Sequence, residues 1–332
     1  MIRSILPFLI VLLSPITAFP EQPTADPQSQ SPDPAVAEET ASATPPLEKP
    51  FDLLNNTRLT GDWWGGRRWI EDRGIDFGLS LTSVYQHNAH GGQQTHNGHR
   101  ITGSADYELT IDTEGLGLWK GGTLYTGADS SWNDDIGGDR VGNLFGVNAD
   151  AGGDNSIAVG ELWYEHSFLD GKARLKVGKI DVTADLDTNA YANDETAQFL
   201  NPVLANTGNI PAPDCGLGAV LVVKPTDWMY VGIGAADAQA NGRETGFKTT
   251  FHDEDYFFSG AEVGFLPEWK TPWGKLPGGY RIGFWYDPQP KARFFDDLGG
   301  RRITVPMKRD DVGFYYNMDQ LLIKEKPQDD AD

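Results

Sequence analysis

Arg100-Ile-Thr-Gly-Ser-Ala-Asp-Tyr-Glu-Leu-Thr-Ile-Asp112 alternates without a break. Ile101, Gly103, Ala105, Tyr107, Leu109 and Ile111 fall on one side of an extended chain; Thr102, Ser104, Asp106, Glu108, Thr110 and Asp112 fall on the other. Successive side chains of a strand point to opposite faces, so this pattern predicts a strand with one apolar and one wet face. Its length suits a tilted membrane strand of about 9–11 residues. Weaker period-two runs lie at Ile75–Tyr85, Thr123–Trp132, Ile157–Phe168, Ala173–Val182 and Gly218–Lys224. Others lie at Trp228–Ala236, Phe258–Phe265, Tyr280–Tyr286 and Val312–Ile323. About ten strands are expected, joined as a β-meander.

The connections alternate in length. Gln86–His99, Asn133–Ser156, Thr183–Cys215, Asp237–Phe257 and Asp287–Asp311 are long; Glu114–Gly122, Leu169–Lys172, Pro225–Asp227 and Pro267–Gly279 are shorter. Structureless loops beyond about 12–15 residues are uncommon in compact soluble domains. An up-and-down barrel, with short turns at one rim and long loops at the other, predicts this parity. Trp119, Phe168, Trp228, Tyr230, Trp269, Trp273 and Tyr280 stand at or beside the short turns. There they would form an interfacial aromatic girdle. The longest connection, Thr183–Cys215, is expected to fold inward.

At the N-terminus, Arg3 precedes an apolar run from Ile5 to Leu13 interrupted only by Pro7, followed by the small residues Thr17 and Ala18. A spanning helix needs roughly 20 apolar residues, so residues 1–18 read as a signal peptide. No other stretch of the sequence suits a transmembrane helix, and a membrane form must therefore be a barrel. Residues 19–50, rich in Pro, Ala, Glu, Ser and Thr, read as a disordered linker. The folded domain is expected over 51–332. It should open with a short helix within Leu59–Gly74, with Asp62 as N-cap and Gly74 just past the end.

The chain carries 48 acidic and 27 basic residues, a formal charge of −21. That argues against nucleic acid, which is bound through Lys and Arg. Cys215 is the single cysteine, so no intrachain disulfide can form.

Several motifs in order resemble those of the carbohydrate-selective porin (OprB) family. They are Leu59-Thr-Gly-Asp-Trp-Trp-Gly-Gly-Arg-Arg68 with Arg73-Gly-Ile-Asp-Phe77, Glu161-Leu-Trp-Tyr-Glu165 with Lys176-Val-Gly-Lys179, Val222-Val-Lys-Pro-Thr-Asp-Trp-Met-Tyr230, and Gly313-Phe-Tyr-Tyr-Asn-Met-Asp-Gln-Leu-Leu322. The resemblance implies an all-β, antiparallel, up-and-down transmembrane barrel of about sixteen strands. It also implies passive sugar diffusion across the outer membrane of a Gram-negative-type bacterium. Two departures are visible. Trp64 is an extra aromatic in the first motif, and the chain stops at Lys324-Glu-Lys-Pro-Gln-Asp-Asp-Ala-Asp332 after about ten strands. C-terminal truncation is the favoured reading over a smaller closed barrel, because an open sheet leaves two unpaired edges in lipid.

If Leu162, Tyr164 and Phe168 face lipid, then Glu161, Trp163 and Glu165 face the lumen. By the same alternation Arg174 and Lys176 point inward, and so do Arg281 and Trp285, with Tyr280, Ile282, Phe284 and Tyr286 outside. Trp faces beside Arg, Lys and Glu can stack on a pyranose and exchange hydrogen bonds with its hydroxyls, giving the weak multi-site binding that permeation needs. A register slip of one residue would invert these assignments. Small sugars and outer-membrane lipid are the expected partners, homo-oligomerisation is left open, and no cofactor or metal is expected. Glu161 and Glu165 share a face but stand about 13 Å apart at roughly 3.3 Å per residue. Glycosidase carboxylates stand at about 5–9.5 Å, so no catalytic pair is assigned. The His87, His90, His96 and His99 loop lacks a fixed ligand spacing. The rival readings are a non-conducting carbohydrate-binding β protein at the surface and a truncated porin remnant. A hydrolase would need a convergent nucleophile or carboxylate pair.

Overall fold

The computed structural model describes residues 58, 60–153, 155–205, 208–244, 248–251, 255–272, 274–292 and 307–324. The expected signal peptide, the linker, the domain start at Phe51, Trp273, most of the Asp287–Asp311 connection and the C-terminal residues from 325 onward lie outside them.

In chain order the strands are β1 (Ile75–His87), β2 (His99–Asp112), β3 (Gly122–Trp132), β4 (Ala158–Phe168) and β5 (Ala173–Ile180). They continue as β6 (Gly216–Thr226), β7 (Met229–Asp237), β8 (Phe257–Phe265), β9 (Glu268–Thr271) and β10 (Gly274–Asp287). The last are β11 (Lys291–Ala292), β12 (Met307–Lys308) and β13 (Asp311–Gln320). One antiparallel sheet runs β1-β2-β3-β4-β5-β6-β7-β8-β10-β13, each strand paired with its neighbour along that path. The sheet is not closed, and β1 and β13 are its edges among the described residues. This is the expected meander with the expected loop parity.

Period two is kept across the sheet. Leu79 pairs with Tyr107, Leu81 with Ala105, Leu124 with Ile111 and Ile233 with Ala261, so apolar side chains meet apolar ones on one face. That face leaves Leu79, Leu81, Ile101, Leu162, Ile233, Ile282, Phe314 and Met318 half exposed or more. A contiguous apolar surface of this extent is what lipid covers in an outer-membrane strand array. The opposite face holds the core: Ile180, Val182, Leu186, Val220, Val222, Tyr230, Ala236, Phe258 and Trp285.

Four large aromatics lie directly over glycines of the paired strand. A Cβ at Gly264 would stand 2.1 Å from the Tyr230 ring, one at Gly283 2.0 Å from Tyr315, one at Gly313 2.3 Å from Trp285 and one at Gly103 2.1 Å from Trp132. Each glycine is the register partner of its aromatic. The first three pairs are on the polar face, where missing side chains let broad rings lie flat on the backbone.

Three sequence expectations are corrected. Tyr230 does not join the aromatic girdle: its even position on β7 turns it to the polar face, where it is buried, while Trp119, Trp228 and Trp269 are exposed as expected. The Pro267–Gly279 connection is partly strand, with Glu268–Thr271 pairing back onto Gly274–Pro277. The opening helix is broken, a 3-10 turn at Trp63–Gly65 preceding an α-helix at Gly66–Glu71 (α1). Trp63 and Trp64 take φ of 51° and 57°, and the Asp62 carboxylate accepts the N–H of Arg68, in the first turn of α1, at 3.1 Å. Gly74 behaves as predicted, with φ 79° and its N–H donating to the Glu71 carbonyl at 2.8 Å.

Candidate functional site on the polar face of the sheet

The sheet brings Glu161, Trp163, Glu165, Arg174, Lys176, Arg281 and Trp285 to one face, with Leu162, Leu175, Val177, Ile282 and Phe284 exposed on the other. The Trp163 indole N–H donates to Glu161 Oε2 at 2.8 Å. Arg174 donates to Glu165 at 2.8 Å, and Arg281 to Asp319 at 2.6 Å.

Two side chains lie against the Trp163 ring. Tyr125 of β3 stacks on it with centroids 4.8 Å apart, and the Lys176 ammonium of β5 lies 4.5 Å from its centroid. The two neighbours come from the strands on either side of β4. Tyr125 and Lys176 thus occupy ring surface of Trp163 that a stacking pyranose would need. Trp285, 8% exposed, lies on Gly313. The polar face thus offers hydrogen-bonding edges more than open rings.

The connection after β5 folds onto this face, as expected of the longest loop. Asp185 takes ion pairs from Arg174 Nη2 at 2.6 Å and Lys176 Nζ at 2.8 Å. The Asp187 N–H donates to Glu262 Oε2 at 2.9 Å. Asn317 of β13 donates to Asp187 Oδ1 at 2.9 Å, and Asn189 to Asn317 Oδ1 at 2.8 Å. Leu186 sits where Gly232 and Gly260 carry no side chain: a Cβ would meet its methyls at 2.7 Å and 3.0 Å. A short strap, Val182 to Asn189, is held against β5 through β13.

Glu262, 1% exposed, is the polar centre of the strap's seat. It accepts Tyr230 Oη at 2.6 Å and Tyr315 Oη at 2.8 Å as well as the Asp187 amide. Three donors compensate a buried carboxylate that would otherwise be costly. Sequence reasoning missed Glu262, though a lone carboxylate inside the otherwise uncharged run Phe257–Phe265 was a legible signal. It missed Asp185 for want of any signal, since loops have no period. Tyr125 and Glu108, joined by a 3.2 Å hydrogen bond, were also missed.

At the end of β5, Lys179 donates to the carbonyls of Val159, Gly242 and Glu244 at 2.6, 2.5 and 2.5 Å, tying the β7–β8 loop to β4. Burial, with the carboxylates of Asp181, Asp214 and Glu161, pushes the Cys215 thiol up, which keeps it protonated and unreactive. Among the described residues no His, Cys, Asp and Glu cluster has the arrangement of a metal site.

An up-and-down antiparallel array with one lipid-type face and one hydrogen-bonding face overlaid by an inward loop defines a porin-like β-barrel protein. The family model of the carbohydrate-selective porin, OprB family, matches residues 96–332. The chain belongs to that family. It is similar to Porin B of Pseudomonas aeruginosa, 27% identical over 266 residues, which cover 74% of this chain and 56% of that protein. Its fold is that of the high-pH structure of Pseudomonas putida OprB, with a TM-score of 0.65 at 20% identity over 80% of this chain and 65% of that one. The chain therefore spans less than two thirds of either relative.

Proposed function

We propose that this chain builds an outer-membrane channel wall through which small neutral sugars diffuse passively. On this reading it is exported by the peptide at residues 1–18 and inserted in the outer membrane of a Gram-negative-type bacterium. The carrying observation is the division of the sheet into an exposed apolar face and a face of Glu161, Glu165, Arg174, Lys176 and Arg281. Lipid matches the first, and hydroxyl-rich solutes can exchange hydrogen bonds along the second. Membership of a carbohydrate-selective family supports the sugar. No covalent step is assigned, because Glu161 and Glu165 are engaged by Trp163 and Arg174.

The test is to refold the protein into planar bilayers and measure conductance, with liposome swelling in monosaccharides, disaccharides and larger oligosaccharides. Discrete conductance with swelling that falls as the sugar grows is the expected outcome. A correctly inserted protein without conductance would instead support the non-conducting surface-binding reading.

A further inference from the structure

Among the described residues, the three bases assigned to the polar face, Arg174, Lys176 and Arg281, are all paired with carboxylates. Arg174 is shared between Glu165 and Asp185, Lys176 pairs with Asp185, and Arg281 pairs with Asp319. Asp106, Glu108, Glu161, Asp187 and Glu262 instead accept hydrogen bonds from the uncharged groups of Ser80, Tyr125, Trp163, Asn317, and the pair Tyr230 and Tyr315. None of those five carboxylates forms an ion pair among the described residues.

One residue sets this balance. Asp185 is carried by the strap and not by the sheet, its carboxylate is 2% exposed, and among the described residues it alone forms ion pairs with both Arg174 and Lys176. Were the strap to present a neutral group here, Lys176 would lose its ion pair and Arg174 half of its own. Arginine stays protonated under any such change, and its side chain remains 28% exposed to the solvent path.

We propose that Asp185 is the charge-selectivity residue of the channel: together with Glu165 it offsets Arg174 and Lys176 and so leaves the passage acidic, favouring cationic over anionic solutes while neutral solutes pass on size and hydrogen bonding. This rests on the channel reading above. It adds to that reading which charged solutes are admitted and which side chain decides it. Field lines are focused in a narrow low-dielectric passage, so a change of one or two charges there outweighs many loop charges outside.

The test is reversal potential in a KCl gradient across planar bilayers, for the wild type and four variants. Wild type is expected to be cation-preferring. Asp185→Asn, which keeps the shape of the side chain, should lower the potassium-to-chloride permeability ratio roughly two- to fivefold. Asp185→Glu should hold the wild-type ratio. Adding Arg174→Gln and Lys176→Gln to Asp185→Asn should restore cation preference, a reversal that mere loosening of the strap would not give. Leu186→Ala weakens the strap's seat without touching charge, and should raise conductance with the ratio unchanged. An unshifted ratio in Asp185→Asn overturns the assignment, as does an equal shift in Leu186→Ala. A wild type that inserts but never conducts overturns the channel reading and this inference with it.

Discussion

Asp150 stands in the loop between β3 and β4, beside the connection that follows β5. Burial, opposed in part by the adjacent Ser104 hydroxyl and reinforced by the carboxylates of Asp106, Glu195 and Asp194, pushes it up to about 6. The two loops are joined here by the Ala149 N–H donating to the Leu200 carbonyl at 2.9 Å. A carboxyl whose folded pKa is raised binds its proton more tightly in the closed arrangement. Its favourable contribution is therefore complete below the ordinary aspartate range and is lost as pH rises through about 6. We expect the Ala149 amide to exchange more slowly at pH 5 than at pH 7.5 once intrinsic exchange is corrected, and Asp150→Asn to remove the difference. Hydrogen–deuterium exchange read by mass spectrometry checks this. At this scale the sequence was legible for strand residues and mute for loop residues. Parity placed Arg174, Lys176, Arg281 and Trp285 on their face from sequence alone. The proximity of Asp150 to Asp194 and Glu195 depends on how two loops meet, which no local pattern encodes.

Elements show the same division. Hairpins were readable because pairing residues are near in sequence and each strand carries its own alternation. Strand β9 escaped because Glu268-Trp-Lys-Thr271 is short and follows Pro267. The strap escaped because its contacts reach far along the chain, 75 residues from Asp187 to Glu262 and 128 from Asn189 to Asn317. The glycine seats were present in the sequence as Gly264, Gly283 and Gly313. Only the register shows that each faces a Tyr or Trp. These seats give a prediction at their own scale. Gly264→Ala sets a methyl into the Tyr230 ring and disturbs the Tyr230–Glu262 hydrogen bond that supports the strap. Overpacking of this kind costs about 1–3 kcal/mol. Gly171→Ala, in the β4–β5 turn, is the control for a glycine with no neighbour within 4 Å, and any cost there comes from its φ of 79° alone. Urea unfolding in phospholipid vesicles, followed by Trp fluorescence, should show Gly264→Ala unfolding earlier. Pairing it with Tyr230→Phe should give less than the sum of the two, because both act through one hydrogen bond.

Across the whole molecule, exposure alone does not separate lipid-facing from water-facing residues. Ile233, in the middle of β7, is 51% exposed, and Leu144, in the β3–β4 loop, is 87% exposed. A soluble sheet would tolerate a charge at either site, since exposed substitutions cost within about 0.5 kcal/mol. A membrane sheet would not. Arg on the lipid face costs about 2–4 kcal/mol near the bilayer midplane and falls towards zero at the interfaces. Ile233 pairs with Leu221 on one side and Ala261 on the other, so its neighbours on that face are apolar and give a guanidinium no partner. We therefore expect Ile233→Arg to lower unfolding stability in vesicles by about 2 kcal/mol or more and Leu144→Arg to leave it within about 0.5 kcal/mol. The depth dependence supplies an internal check. Val312→Arg, 54% exposed and beside the end of edge strand β13, should cost less than Ile233→Arg because its guanidinium can reach the interface. Equal tolerance at Ile233 and Leu144 would mean that water, not lipid, covers the apolar face, and would remove the physical basis for reading the opposite face as the wall of a channel.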